Sequence, residues 1–199
     1  ARVAALLAGA APREAELEPI ADLLALGVTA LADLAFGRWR PAPSRTIDGW
    51  RGFNSPFFGF SVNAYLAWDP ASREAAMFDT GADARPALEA IERARLRLRF
   101  LFVTHAHADH VGDLRRVRAA HPDLVVVASE SEPALPVEIR FSGDGESFGV
   151  GRLEVRALDT PGHTPGGLSF AVRGWEGERA VVAVVGDALF AGSIGRPSS

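Results

Sequence analysis

Three of the five histidines in this 199-residue chain, His105, His107 and His110, fall within six residues, and Asp109 lies among them. Imidazole and carboxylate donors packed this closely point to metal binding. In an extended backbone, side chains two apart face the same side, so His105 and His107 can offer their rings to one ion. Asp109 and His110 then turn with the start of the next helix and can face a second ion. The intervening Ala106 and Ala108 keep the turn uncluttered. A polar loop of hydrogen-bonded histidines is the bland alternative, and the concentration of histidines at one place argues against it.

Two later elements can complete such a site. Thr160 to Gly167 holds His163 in a turn whose prolines and glycines fix the backbone on both sides, and rigid placement is what a ligand needs. Gly186-Asp187 follows the apolar segment Val181 to Val185. A carboxylate leaving a buried strand can bridge two cations and neutralise charge that would otherwise repel. Read alone, His163 is a loop histidine and Asp187 a turn aspartate; beside the first cluster both become ligand candidates.

The composition narrows the chemistry further. With no cysteine there is no disulfide, no thiolate nucleophile and no thiolate ligand, so a metal must sit on His and carboxylate groups. The net charge of -4 argues against nucleic acid as the main partner. No apolar run approaches the roughly 18 residues that span a bilayer, so no membrane segment is expected. A cytoplasmic location fits the missing cysteines, although a periplasmic one is equally compatible with them. The opening Ala1 to Ala11 reads as an ordinary helix, with the remnant of a secretion signal as the alternative. Ser193 and the other serines lack a Gly-x-Ser-x-Gly elbow, which disfavours a serine hydrolase.

The elements that must position these residues are legible in outline. Residues 12 to 36 read as helical, with Gly27 as a stop and a second short helix from Thr29. Pro41 and Pro43 mark a linker over Arg40 to Ser44. The chain therefore divides into a helical arm and linker, residues 1–45, and a main domain, residues 46–199. In that domain Ser61 to Trp68 and Ala75 to Asp79 read as a hairpin, Ala84 to Leu96 as a helix, and Phe100 to Val103 as a buried strand running into His105. Val111 to Ala120 reads as a helix and Leu124 to Ala128 as a strand. Further strands are expected over Val137 to Phe141, Leu153 to Ala157, Leu168 to Val172 and Val181 to Val185. The aromatic stretch from Trp50 to Phe60 reads as a loop, able to overhang the ligands or pack in the core. Mixed sheets covered by helices, an α/β (α+β) architecture, follow from this order.

The residues His105-Ala106-His107-Ala108-Asp109-His110, then His163, then Asp187 resemble the signature of the metallo-β-lactamase-fold hydrolase superfamily, in the family's order. Thr160 to Gly167 and Gly186 to Arg196 look most like its glyoxalase II branch, the hydroxyacylglutathione hydrolases. The resemblance covers residues 46–199 and implies a four-layer αββα sandwich, here with an N-terminal helical extension. Phe78-Asp79-Thr80-Gly81 looks like the family's short strand ending in Asp and Gly, whose carboxylate supports a ligating histidine.

The resemblance implies a metal-dependent thioester hydrolase with two divalent ions, zinc first and iron or manganese as alternatives. His105, His107 and His163 would hold one ion, Asp109 and His110 the other, and Asp187 would bridge them. Metal coordination can bring the pKa of a water from 15.7 to about 7, giving a hydroxide nucleophile. Asp109 would orient it and pass its proton to the leaving thiolate, and the partner is a small-molecule thioester. Two-metal relatives generally supply a further C-terminal histidine, and none follows His163; the expectation is that the domain continues beyond Ser199. The nearest competitor on the same fold is a mononuclear iron dioxygenase acting on a persulfide, with His105, His163 and Asp187 as ligands. A lactonase or phosphodiesterase shares the two-metal chemistry, and a metal-free binding module is the reading from another class. The helical arm is left to cover an apolar face or make a homodimer contact.

Overall fold

Alternation along β2 (Phe60–Trp68) sets the layers of the main domain. Val62, Ala64 and Leu66 are buried on one side of this strand and Ala67 on the other, as the two-residue period of a strand requires. The computed structural model describes residues 2–23, 26–38, 46–175, 182–190 and 193–197. The chain separates into two compact units, Ala1–Arg45 and Thr46–Ser199.

In the first unit, α1 (Arg2–Leu7), α2 (Glu14–Leu23) and α3 (Val28–Ala35) follow one another. Glu16 ties α1 to α2: its carboxylate accepts bonds from the Arg2 guanidinium at 2.7 Å and from the Arg13 backbone N–H at 2.8 Å. Gly27 caps the start of α3, and Pro12 precedes α2 instead of lying in its first turn. The expected linker, Arg40 to Ser44, lies outside the described residues.

In the second unit a six-stranded sheet runs in the order β1 (Trp50–Phe57), β2, β3 (Glu74–Phe78), β4 (Arg97–Phe102), β5 (Val125–Ala128), β6 (Arg140–Phe141). The first three strands are antiparallel, and β3 to β6 are parallel. Parallel neighbours need crossovers; α4 (Arg85–Arg93) and α5 (Leu114–Ala120) supply two of them. Ala87 and Ile91 of α4 and Leu114 and Val117 of α5 pack on Leu66, Met77, Leu101 and Val126.

The opposite face of this sheet packs on a four-stranded antiparallel sheet made of β7 (Ser147–Val150), β8 (Leu153–Asp159), β9 (Leu168–Arg173) and β10 (Val182–Val184), in the order β10-β9-β8-β7. Phe78 and Phe102 meet Phe170 and Phe148 between the sheets. A bulge at Arg99, where Ala75 and Ala76 pair with Leu98 and Phe100, resets the alternation and turns both Phe100 and Phe102 toward the second sheet. The layers run helix, sheet, sheet. A helical layer on the outer face of the second sheet is not among the described residues. Asp69, buried at the β2–β3 turn, accepts three bonds from Arg152 at the β7–β8 turn at 2.9 to 3.1 Å, latching the sheets at the end away from the histidines.

The stretch read as a loop is a strand. Trp50–Phe57 pairs along its length with β2 through a tight turn at Phe58-Gly59, both with positive φ. Gly52 and Pro56 mask its alternation, and an edge strand tolerates a proline. β7 and the short pair β11 (Leu189–Phe190) and β12 (Ser193–Ile194) are likewise absent from the sequence reading. Among the described residues no helix is long and apolar enough to cross a membrane.

Candidate metal centre

β4 delivers the first donors. Its apolar run ends at Phe102, and Thr104 and His105 follow at 2% exposure each, at the carboxyl end of a parallel strand where α/β sheets place ligands. Turns then occupy 108–113, so the helix expected from Val111 begins only at Leu114. These turns bring His107, Asp109 and His110 back over the strand end. The β8–β9 turn adds His163, and a short 3₁₀ turn after β10, Gly186–Ala188, adds Asp187. Gly186 has φ +50°, and a Cβ there would lie 2.5 Å from the Thr104 hydroxyl, so the approach of Asp187 to β4 demands glycine.

Two three-donor groups result, each with its ligand atoms within 4.8 Å of one another: His105, His107 and His163, and His105, His110 and Asp187. In the first, His107 Nδ1 lies 3.1 Å from His105 Nε2 and 3.0 Å from His163 Nε2. Nitrogens bound tetrahedrally at ~2.0–2.1 Å from zinc stand about 3.3–3.4 Å apart. Three imidazole nitrogens at this spacing can share one ion with little movement.

Asp187 reaches both groups. Its Oδ1 is 3.2 Å from His110 Nε2 and its Oδ2 is 3.6 Å from His163 Nε2. Asp109 belongs to neither group; its Oδ2 stands 3.7 Å from His110 Nε2. All six residues singled out from the sequence are thus gathered at one strand end, with Asp109 at the margin.

The tautomers test whether a cation fits. Asp79, 2% exposed, accepts the Thr104 backbone N–H on Oδ1 at 2.7 Å. On Oδ2 it accepts the Thr104 hydroxyl at 2.7 Å and His110 Nδ1 at 2.8 Å. With its hydroxyl proton on Asp79, Thr104 can only accept from His105 Nδ1, 3.1 Å away. His163 Nδ1 donates to the Arg196 carbonyl at 2.8 Å. His105, His110 and His163 each spend the Nδ1 proton on an outer acceptor, leaving Nε2 free to bind a cation. His110 Nε2 is buried without a hydrogen bond; its approach to Asp187 lacks hydrogen-bond alignment.

The electrostatics agree. Burial opposes a charge on His110, but Asp79 and Asp187 outweigh it and raise its pKa to about 10. Burial and the neighbouring His110 push His105 down to about 4. His110 and its charge hold the Asp187 carboxyl below its usual range. Two carboxylates, Asp79 and Asp187, thus face one buried imidazole and favour positive charge at this point, which a metal ion can supply.

Beside these donors opens a cleft of about 490 Å³, whose lining includes Asp109, His110 and Asp187 together with Phe60, Tyr65 and Phe190. Tyr65 is pushed up in pKa by burial and by Asp79. The sequence reading did not mark the Thr104 hydroxyl, the Arg196 carbonyl or Glu132. Thr104 carries a signal in hindsight, since it directly precedes His105. The other two act across loops far apart in the chain and leave none.

Residues 58–199 match the family model of the metallo-beta-lactamase superfamily. The chain is 39% identical over 136 residues to a hydroxyacylglutathione hydrolase of Gloeobacter violaceus, covering 66% of this chain and 50% of that one. With hydroxyacylglutathione hydrolase GloC of Haemophilus influenzae it shares 31% identity over 160 residues, 71% of this chain and 73% of that protein. The crystal structure of ETHE1 from Myxococcus xanthus superposes with a TM-score of 0.55 at 31% identity, covering 68% of this chain and 56% of that one. The chain spans about half the length of most of the curated relatives it matches. With its His-x-His-x-Asp-His segment, His163 and Asp187 converging at one strand end, the chain belongs to the metallo-β-lactamase superfamily, in the branch of its hydroxyacylglutathione hydrolase relatives.

Proposed function

We propose that this chain is the metal-binding part of a glyoxalase II-like thioesterase that uses two divalent ions, zinc first and iron or manganese as alternatives. His105, His107 and His163 would hold one ion, and His110 with Asp109 the other. Asp187 would serve both, and the split of its two carboxylate oxygens between His110 and His163 is the observation that carries the reading. Divalent ions held there supply Lewis acidity for a thioester carbonyl and acidify water near neutral pH.

The chain's own residues do the rest. Asp109 lies in the cleft, 14% exposed at its side chain, where its carboxylate orients a water oxygen toward the carbonyl carbon. As the new C–O bond forms, Asp109 takes the water proton; as the C–S bond breaks, the sulfur leaves with the electron pair and receives that proton. Phe60 and Phe190 flank the cleft and shield the acyl group from bulk water. The substrate class is a small hydroxyacylglutathione thioester, and the proposed compartment is the cytosol.

Metal per chain, measured alongside hydrolysis of S-lactoylglutathione, tests this. About two ions per chain with turnover support it; metal uptake with no thioester hydrolysis sinks the substrate, and no metal uptake sinks the site. One observation favours a second reading. Both donor groups use His105, and Nε2 of one ring serves one ion, so the groups can also be alternatives for a single ion. Two histidines and a carboxylate, His105, His163 and Asp187, suit ferrous iron. One iron per chain with oxygen consumption on a persulfide would select that reading.

A further inference from the structure

Glu132 lies in the turn after β5, four residues beyond Ala128, and its two carboxylate oxygens go to different ligand loops. Oε2 accepts the backbone N–H of Ala106, between His105 and His107, at 2.7 Å. Oε1 accepts the backbone N–H of Gly166, three residues past His163, at 3.1 Å. The backbone follows the side chain: a Cβ on Gly166 would lie 2.7 Å from Glu132 N and 2.8 Å from Ser131 C, so only glycine lets the His163 turn settle here.

These two loops supply all three donors of the three-histidine group, yet they are separated by more than fifty residues of chain. Each N–H bonded by Glu132 belongs to an irregular segment whose donors need partners outside regular structure. An ionised carboxylate accepts both in charge-assisted bonds; a glutamine offers only one acceptor oxygen. Glu132 makes no contact of this kind with His110, Asp79 or Asp187, which are held by the strand ends and by one another.

We propose that Glu132 is a positioning residue that sets the gap between the His105–His107 segment and the His163 turn, and thereby the affinity of the three-histidine position. The inference rests on the reading that these donors hold metal. It adds that the clamp sets the span of the three-histidine group, whose donors all lie on the two loops it ties, while His105 also serves the other group.

Cobalt(II) binding to the full chain tests it without relying on activity. Absorption bands and chelator competition are compared for the unaltered protein, Glu132→Gln, Glu132→Ala and His163→Ala. The bands lost in His163→Ala report the three-histidine position. In Glu132→Gln, nearly isosteric and expected to fold, those same bands shift and their cobalt affinity falls about 10–100-fold, while the thermal melting of the metal-free protein stays close to that of the unaltered chain. Wild-type affinity with unshifted bands in Glu132→Gln overturns the proposal. So does an equal loss at every cobalt band, which marks a general folding defect. If the unaltered protein takes up no cobalt, the metal reading fails first and this inference falls with it.

Discussion

His110 sits at 3% exposure with Asp79 against one ring nitrogen and Asp187 near the other, whereas His107 is exposed and meets two further imidazoles. One side of the cluster is built from side-chain acceptors at buried strand ends. On the open side, loops are held to one another by Glu132 and by the Arg196 carbonyl. The buried side carries strain as well: Asp79 has φ +53°, a conformation few non-glycine residues adopt but one that aspartate tolerates. Such strain persists only where the surroundings over-determine it, and Asp79 accepts three hydrogen bonds. The difference teaches that the His110 side is set before an ion arrives, while the His107–His163 side depends on how closely two loops are drawn together.

Asp187 touches both sides, so its removal is the harshest test. Asp187→Ala is expected to lower affinity at both positions and bring turnover below detection, measured by metal content and thioester hydrolysis; loss on one side alone would break the symmetry assigned to this carboxylate. Asp109→Ala comes next, with turnover falling roughly 10²–10⁴-fold and an unchanged circular dichroism spectrum. Retained activity would remove Asp109 from the chemistry.

Asp79→Asn addresses the buried side alone. The amide N–H must face at least one of the donors that Asp79 accepts, leaving it unpaired at a cost of about 1–3 kcal/mol. Metal affinity at the His110 position should fall about 10–100-fold, with the bands that depend on His163 retained. Equal weakening of both positions would erase the distinction between the two sides.

The smallest effect on the metals is expected at Asp69, at the far end of the sheets. Burial opposes its charge, but Arg152 and the backbone N–H groups of Ala71 and Arg152 hold its carboxyl below the usual range. The stability it contributes is therefore full above the unfolded carboxylate value of about 3.9 and is lost as pH falls through the lower folded value. Asp69→Asn should flatten the acid limb of a denaturation profile and leave metal content unchanged; a metal defect would show that the latch reaches the site.

Most elements that carry donors were legible because their signals are local. The apolar run into His105, the Pro-Gly turns around His163 and the apolar strand before Asp187 each declare themselves within a dozen residues. β1 was missed because Gly52 and Pro56 interrupt its pattern, and only pairing with β2 makes it a strand. Glu132 was missed for a different reason: a loop glutamate looks the same whether it faces water or two distant backbone N–H groups.

Residue type and spacing were enough to single out the candidate donors, their order along the chain and the absence of thiolate ligands from it, because these are properties of side chains and of short backbone stretches. Tertiary structure alone decided that His105 is shared by two donor groups, that Asp187 splits its oxygens between His110 and His163, and that Glu132 spans two ligand loops. Those distances are set by helical crossovers, by the register of parallel strands and by the packing of one sheet on the other, which bring segments more than fifty residues apart within hydrogen-bond reach.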